Sequence, residues 1–101
     1  MTALDVPKYA IIANNITPEQ REQMQAIVKA NANGWWHSFA DLWIVGGRSA
    51  GEWRDLVGAA APTAPSAVMV LAIDRSDANG WAFRGILPES SVNWLRGDVH
   101  P

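Results

Sequence analysis

KYAIIANNITPEQ, residues 8–20, changes from one kind of structure to another within a single short stretch. KYAIIA (8–13) is an apolar run of strand length that stops at Asn14-Asn15, a turn-forming pair. Residues 17–20 then mark a helix start. The Thr17 hydroxyl is placed to accept from the backbone three residues on, and Pro18 sits where a missing N–H costs nothing. Gln20 is placed to reach back and close a capping box. The spacing predicts a helix to about Asn31 with Met24, Ile27 and Val28 on one face. Asn33-Gly34 should end it in a left-handed turn.

The same punctuation continues downstream. WWHS (35–38) and LWIVG (42–46) read as a hairpin turning over Phe39-Ala40-Asp41. Ser49, with Glu52 three residues later, is a second capping box and opens a helix to about Ala60. Trp53, Leu56, Val57 and Ala60 then form one buried stripe. APTAPS (61–66) is a Pro-rich connector, and AVMVLAI (67–73) is an apolar strand. DRSDANG (74–80) reads as a loop, WAFRGIL (81–87) as a short fifth strand, and Pro88–Arg96 as a third helix ended by Gly97. Two β-α-β crossovers interleaved in this order give an α+β fold, a ferredoxin-like βαββαβ sandwich with a C-terminal short strand and helix. One domain over residues 1–101 is expected, with sheet order fourth, first, third, second.

That order places AVMVLAI at a sheet edge, although it carries no charge, and uncharged edges invite pairing with another chain. The strands are also apolar in both registers: Ile11 and Ile12, Trp43 and Ile44, Val70 and Leu71. A sheet face meeting water normally alternates with polar residues. Something should therefore cover the second face, either the segment 81–96 or a second copy of the chain.

Composition narrows the function classes. The chain has 49% hydrophobic and 18% charged residues, which belongs to a folded domain rather than a disordered one. It has no cysteine, which removes disulfides, thiolate metal sites and cysteine nucleophiles. The net charge is −2 and its eight basic residues are scattered singly. Phosphate-backbone binding depends on clustered Lys and Arg, so nucleic acid is not favoured as a partner. No apolar run reaches the ~18–20 residues a membrane span needs, and no secretory signal is visible. Cytoplasmic is the default expectation.

The chemistry-bearing residues are few. His37 invites a general-base or ligand role, against the plainer reading of a sheet histidine satisfied by a backbone group. Two histidines without cysteine would need carboxylates to complete a zinc site, and no such cluster is visible. The 74–80 loop lacks the ligand alternation and distal glutamate of a calcium loop. Glu52 and Asp55 read as solvated helix charges beside Arg48 and Arg54. Gly46-Gly47 before Ser49 offers backbone N–H groups to an anion, unless the cap and the chain itself use them. No G-x-S-x-G elbow, phosphate-binding loop or dinucleotide fingerprint occurs, so no catalytic residue, metal or cofactor is expected. Trp35 and Trp36 are adjacent on a strand and must face opposite sides. With six tryptophans in the chain, at least two should serve the second face.

Trp35-Trp36-His37 followed by Trp43-Ile44-Val45 resembles the hairpin of a small bacterial and phage family labelled SinR-like. Gly80-Trp81, Gly85-Ile86-Leu87-Pro88 and Trp94-Leu95 stand where that family has its late motifs. The family is in turn similar, more distantly, to CRISPR-adaptation endoribonuclease-like proteins. The resemblance implies a ferredoxin-like homodimer, often encoded by phage or mobile elements. It also implies a metal-binding aspartate at the end of the first strand. The matching position here is Asn14 or Asn15, and an amide adds no negative charge beside a hard Mg²⁺ ion. A nuclease of this type would have to use Asp41 or Asp74 instead.

Two function classes remain. The first is a non-enzymatic homodimeric binding or regulatory module, acting on itself and on a host protein. Its interface would be drawn from Trp35, Trp36, Trp43, Trp81, Phe83 and Trp94. The second is a metal-dependent endoribonuclease built from Asn14, His37, Asp41 and Asp74.

Overall fold

The computed structural model describes residues 6–73, of which Pro7–Ile73 form one compact unit. Its elements are β1 (Lys8–Asn14), α1 (Pro18–Asn31), β2 (Trp35–Phe39), β3 (Leu42–Gly46), α2 (Ala50–Gly58) and β4 (Ala67–Ala72). The four strands form one antiparallel sheet in the order β2-β3-β1-β4. This is the α+β, ferredoxin-like arrangement expected from the order of the elements, with each crossover skipping one strand. The expected C-terminal strand and helix lie outside the described residues.

Cross-strand register sorts the side chains. Tyr9, Ile11 and Ala13 on β1 stand opposite Val45 and Trp43 on β3 and Val70 and Val68 on β4. These residues pack with Met24 and Val28 of α1 and with Trp53, Val57 and Ala60 beside α2, so both helices cover this one face. Ile11, Met24, Val28, Trp43, Val45, Trp53 and Val57 lose all contact with solvent. Burial of each is worth roughly 1.5–3 kcal/mol, which makes this layer the main source of stability.

The helix ends show what local sequence decides and what it leaves to the fold. Thr17 caps α1 with a complete capping box: Gln20 N–H donates to Thr17 Oγ1 at 3.1 Å and Thr17 N–H donates to Gln20 Oε1 at 2.8 Å. At the other end the chain leaves the helix differently from expectation. Ala32 turns extended, and the positive φ falls two residues later, at Gly34 (φ 84°). Side chains hold the terminal carbonyls instead of a left-handed cap. Asn31 Nδ2 donates to Ile27 O at 2.8 Å, and Arg48 Nε donates to Asn31 O at 3.2 Å.

The second capping box forms only by half. Ser49 Oγ accepts from Glu52 N–H at 3.2 Å, while the Glu52 carboxylate turns to Arg48 at 3.6 Å. Arg48 holds a positive φ of 60°, which places its guanidinium between Asn31 and Glu52 and draws the carboxylate away from the cap. The Gly46 and Gly47 N–H groups donate to Gly34 O and Pro7 O, each at 2.9 Å, and so are not open to an anion.

Candidate functional site

Two regions gather the candidate residues. The first lies where the polar face of α1 meets the β2–β3 turn. Pro18, Arg21, Glu22 and Gln25 recur at helical spacing along α1. With Glu19 and His37 they line a shallow open depression of about 500 Å³. Arg21 pins the turn. Its Nε and Nη2 donate to Asp41 Oδ1 at 3.0 and 2.8 Å, and Nε also reaches Ala40 O at 3.1 Å. The pair is partly exposed, at 31% and 44%, so it is worth no more than about 1 kcal/mol.

His37 lies against the same turn. Its ring stacks on Trp43 with centroids 4.3 Å apart and planes inclined by 21°. Its Nε2 lies 2.9 Å from Ala40 O. A carbonyl only accepts, so Nε2 is the donor in this contact. Asp41, the carboxylate of this turn, is held by Arg21. The arrangement suits a histidine that fastens a tight turn; among the described residues it has no carboxylate partner of the kind a general base uses. Among the described residues no group of three His, Asp or Glu side chains converges as a metal would require.

The other endoribonuclease candidates form no metal-binding group among the described residues. Asn14 is exposed at the end of β1 opposite Ala67, and Asn15 is exposed with a positive φ of 55°. Asp41 comes near that end of β1 through its backbone, whose carbonyl accepts from Ala13 N–H at 2.9 Å. Asp74 lies outside the described residues. Glu52 and Asp55 are paired with Arg48 and Arg54. The hydrogen bond that Arg54 Nε donates to Asp55 Oδ1 also raises the Arg54 guanidinium above its ordinary pKa. Arg21 and Gln25 escaped the sequence reading, although their spacing from Pro18 marks one helix face. Their partners are far along the chain, and spacing does not reveal those.

The second region is the sheet face away from the helices. Two rows of side chains cross all four strands in register. One is Leu71, Ala10, Ile44 and Trp36; the other is Met69, Ile12, Leu42 and Phe39. Neither row contains a charged or hydrogen-bonding side chain except the Trp36 indole. Ile12, Phe39, Met69 and Leu71 are 39%, 51%, 57% and 49% exposed. An irregularity in pairing between Trp36 and Phe39 keeps both on this face, three residues apart.

The chain matches no family model, and it matches no curated protein or solved structure significantly.

The tryptophans divide as alternation requires. Trp35 stands opposite Val45 on the helix side, at the margin of the sheet, and remains 39% exposed. Trp36 stands opposite Ile44 on the other side and is only 4% exposed, with its ring edge-on to Phe39 at 5.0 Å. Trp43 lies wholly in the core and offers no surface to a partner. Its Nε1 donates to Gln25 Oε1 at 2.7 Å, and Trp53 Nε1 donates to Gly47 O at 2.8 Å. Trp36 Nε1, by contrast, is buried without a hydrogen-bond partner among the described residues. Trp81, Phe83 and Trp94 lie outside the described residues. Ile12, Met69 and Leu71 belong to the double-sided apolar pattern of the sequence, but the large tryptophans drew the interface assignment away from them. Phe39, expected in the hairpin turn, is instead the last residue of β2.

Proposed function

We propose that this protein is a non-enzymatic binding module that works as a homodimer, associating through the sheet face its helices leave open. The supporting observation is the pair of uncharged rows across that face, with Met69 and Leu71 about half exposed on β4 and Ile12 and Phe39 beside them. A contiguous apolar patch of this kind marks an interaction surface on a water-soluble domain. A second copy is the occupant that fits best. The two rows carry no charge that would select a charged partner, the one charged residue that alternation adds to this face of β1 being Lys8, which is buried, and the patch runs onto β4, whose residues Ala67–Ala72 are also uncharged. Two-fold pairing of identical patches is self-complementary by construction. The SinR-like resemblance, carried by the tryptophan hairpin and the late glycine motifs, favours the same assembly and extends it to regulation of a host protein.

The test is the mass in solution of the wild-type chain and of Met69→Asp. Met69 is exposed, so the charge disrupts association without disturbing the core. A dimer that the substitution converts to a monomer supports the reading. A wild-type monomer at high concentration rejects it. RNA and DNA incubated with the protein and Mg²⁺ or Mn²⁺ should stay intact; metal-dependent cleavage lost on changing Asp41 or Asp74 would establish the endoribonuclease instead.

A further inference from the structure

The connection between α1 and β2 contains Asn33-Gly34, and its geometry points to a chemical role distinct from the docking face. We propose that Asn33 is a site of spontaneous modification, in which the Gly34 backbone nitrogen attacks the Asn33 side-chain amide. The N–Cγ bond forms as the amide C–N bond breaks. The Gly34 N–H proton passes to solvent base, and the departing amide nitrogen leaves as ammonia after taking up a proton from water. The resulting succinimide takes up one water. Opening on one side restores an ordinary backbone with aspartate; opening on the other gives isoaspartate. No oxidant, reductant or enzyme is required.

Three features favour attack at this place. Asn33 is exposed, and among the described residues its side-chain amide makes no hydrogen bond. Gly34 has no Cβ to block the approach, and its φ of 84° belongs to a conformation that other residues rarely adopt. The Gly34 N–H is also unengaged among the described residues, although the groups around it are held. Ala32 N–H donates to Val28 O, Asn33 N–H to Gly46 O, and Gly46 N–H to Gly34 O, all at 2.9 Å.

Asn31, two residues earlier, is the internal contrast. Its Nδ2 donates to Ile27 O and its Oδ1 accepts from Arg48 at 3.0 Å, and its successor is alanine. The consequence of reaction at Asn33 is local. Isoaspartate inserts a methylene between the Asn33 N–H and the Gly34 carbonyl, the two groups that clasp Gly46. Both bonds cannot survive, so β2 is released at the end that carries Trp35 and Trp36.

The test uses the full chain at mildly alkaline pH in heavy-oxygen water, so that conversion before digestion is marked. Trypsin cuts after Lys29 and Arg48 and isolates Asn31 and Asn33 in one peptide. Labelled aspartate and isoaspartate at position 33, with Asn31 intact, are expected in the native protein and are abolished in Asn33→Gln. An unconverted Asn33 in the native chain, under conditions where the urea-unfolded chain converts, overturns the proposal because the fold would then be protective. Aspartate without isoaspartate also overturns it, since direct hydrolysis needs no attack by Gly34.

Discussion

The Trp36 indole gives a sharp test of how the domain is held together. Trp43, Trp53 and Trp36 are 0%, 0% and 4% exposed, yet among the described residues only the first two have a partner for Nε1. Replacing Trp53 by Phe removes ring volume and a hydrogen bond worth about 1 kcal/mol. Trp36→Phe removes similar ring volume but also removes a buried unsatisfied donor, whose penalty is about 1–3 kcal/mol. The edge-on contact with Phe39 survives in part, because a phenyl ring keeps the same geometry. The two substitutions should therefore differ by about 2 kcal/mol or more, with Trp36→Phe near neutral. In a domain of this size that gap is roughly 8–16 °C in melting temperature. Urea and thermal unfolding, monitored by far-ultraviolet circular dichroism, measure both. Equal losses for the two variants would show that the Trp36 donor is satisfied in solution and overturn this explanation.

Other substitutions probe single contacts. Thr17→Ala should cost about 1 kcal/mol in urea unfolding, since it removes the acceptor for Gln20 N–H and opens the capping box. Gly47→Ala should cost about 1–2 kcal/mol. Its φ of 87° disfavours a side chain, and a Cβ there would lie 3.4 Å from that of Asn33. In a double-mutant cycle, Arg21→Ala and Asp41→Ala should show a coupling of no more than about 1 kcal/mol that falls with added salt. A larger, salt-independent coupling would mean that the pair is far drier than its exposure indicates.

Much of the architecture was legible because it depends on short-range chemistry. Thr17, Pro18 and Gln20 specify the start of α1 within one turn, and alternation alone separates Trp35 from Trp36. The order of strands and helices then leaves few topologies, and the one expected is the one found. The readings that failed depended on partners distant in sequence. Glu52 belonged to a plausible capping box, but Arg48 holds its carboxylate. Gly34 was placed to end α1, but Asn31 and Arg48 satisfy the terminal carbonyls. The depression beside α1 was hidden for the same reason, because Arg21 meets Asp41 and Gln25 meets Trp43 only after the sheet has formed. The open face was visible as an apolar pattern. Its exposed members were not, since exposure depends on which face the helices choose.

Whether the face bearing Met69 and Leu71 joins two chains decides how this protein works. Sedimentation velocity of the wild-type protein over a wide concentration range answers it, with Met69→Asp run alongside. The chain mass is 11.0 kDa, so a dimer has twice that, 22.0 kDa. The wild-type protein should sediment as the 22.0 kDa species and Met69→Asp as the 11.0 kDa one, with unchanged circular dichroism. A wild-type chain that stays at 11.0 kDa at every concentration, or a dimer that Met69→Asp leaves intact, would contradict association through this face.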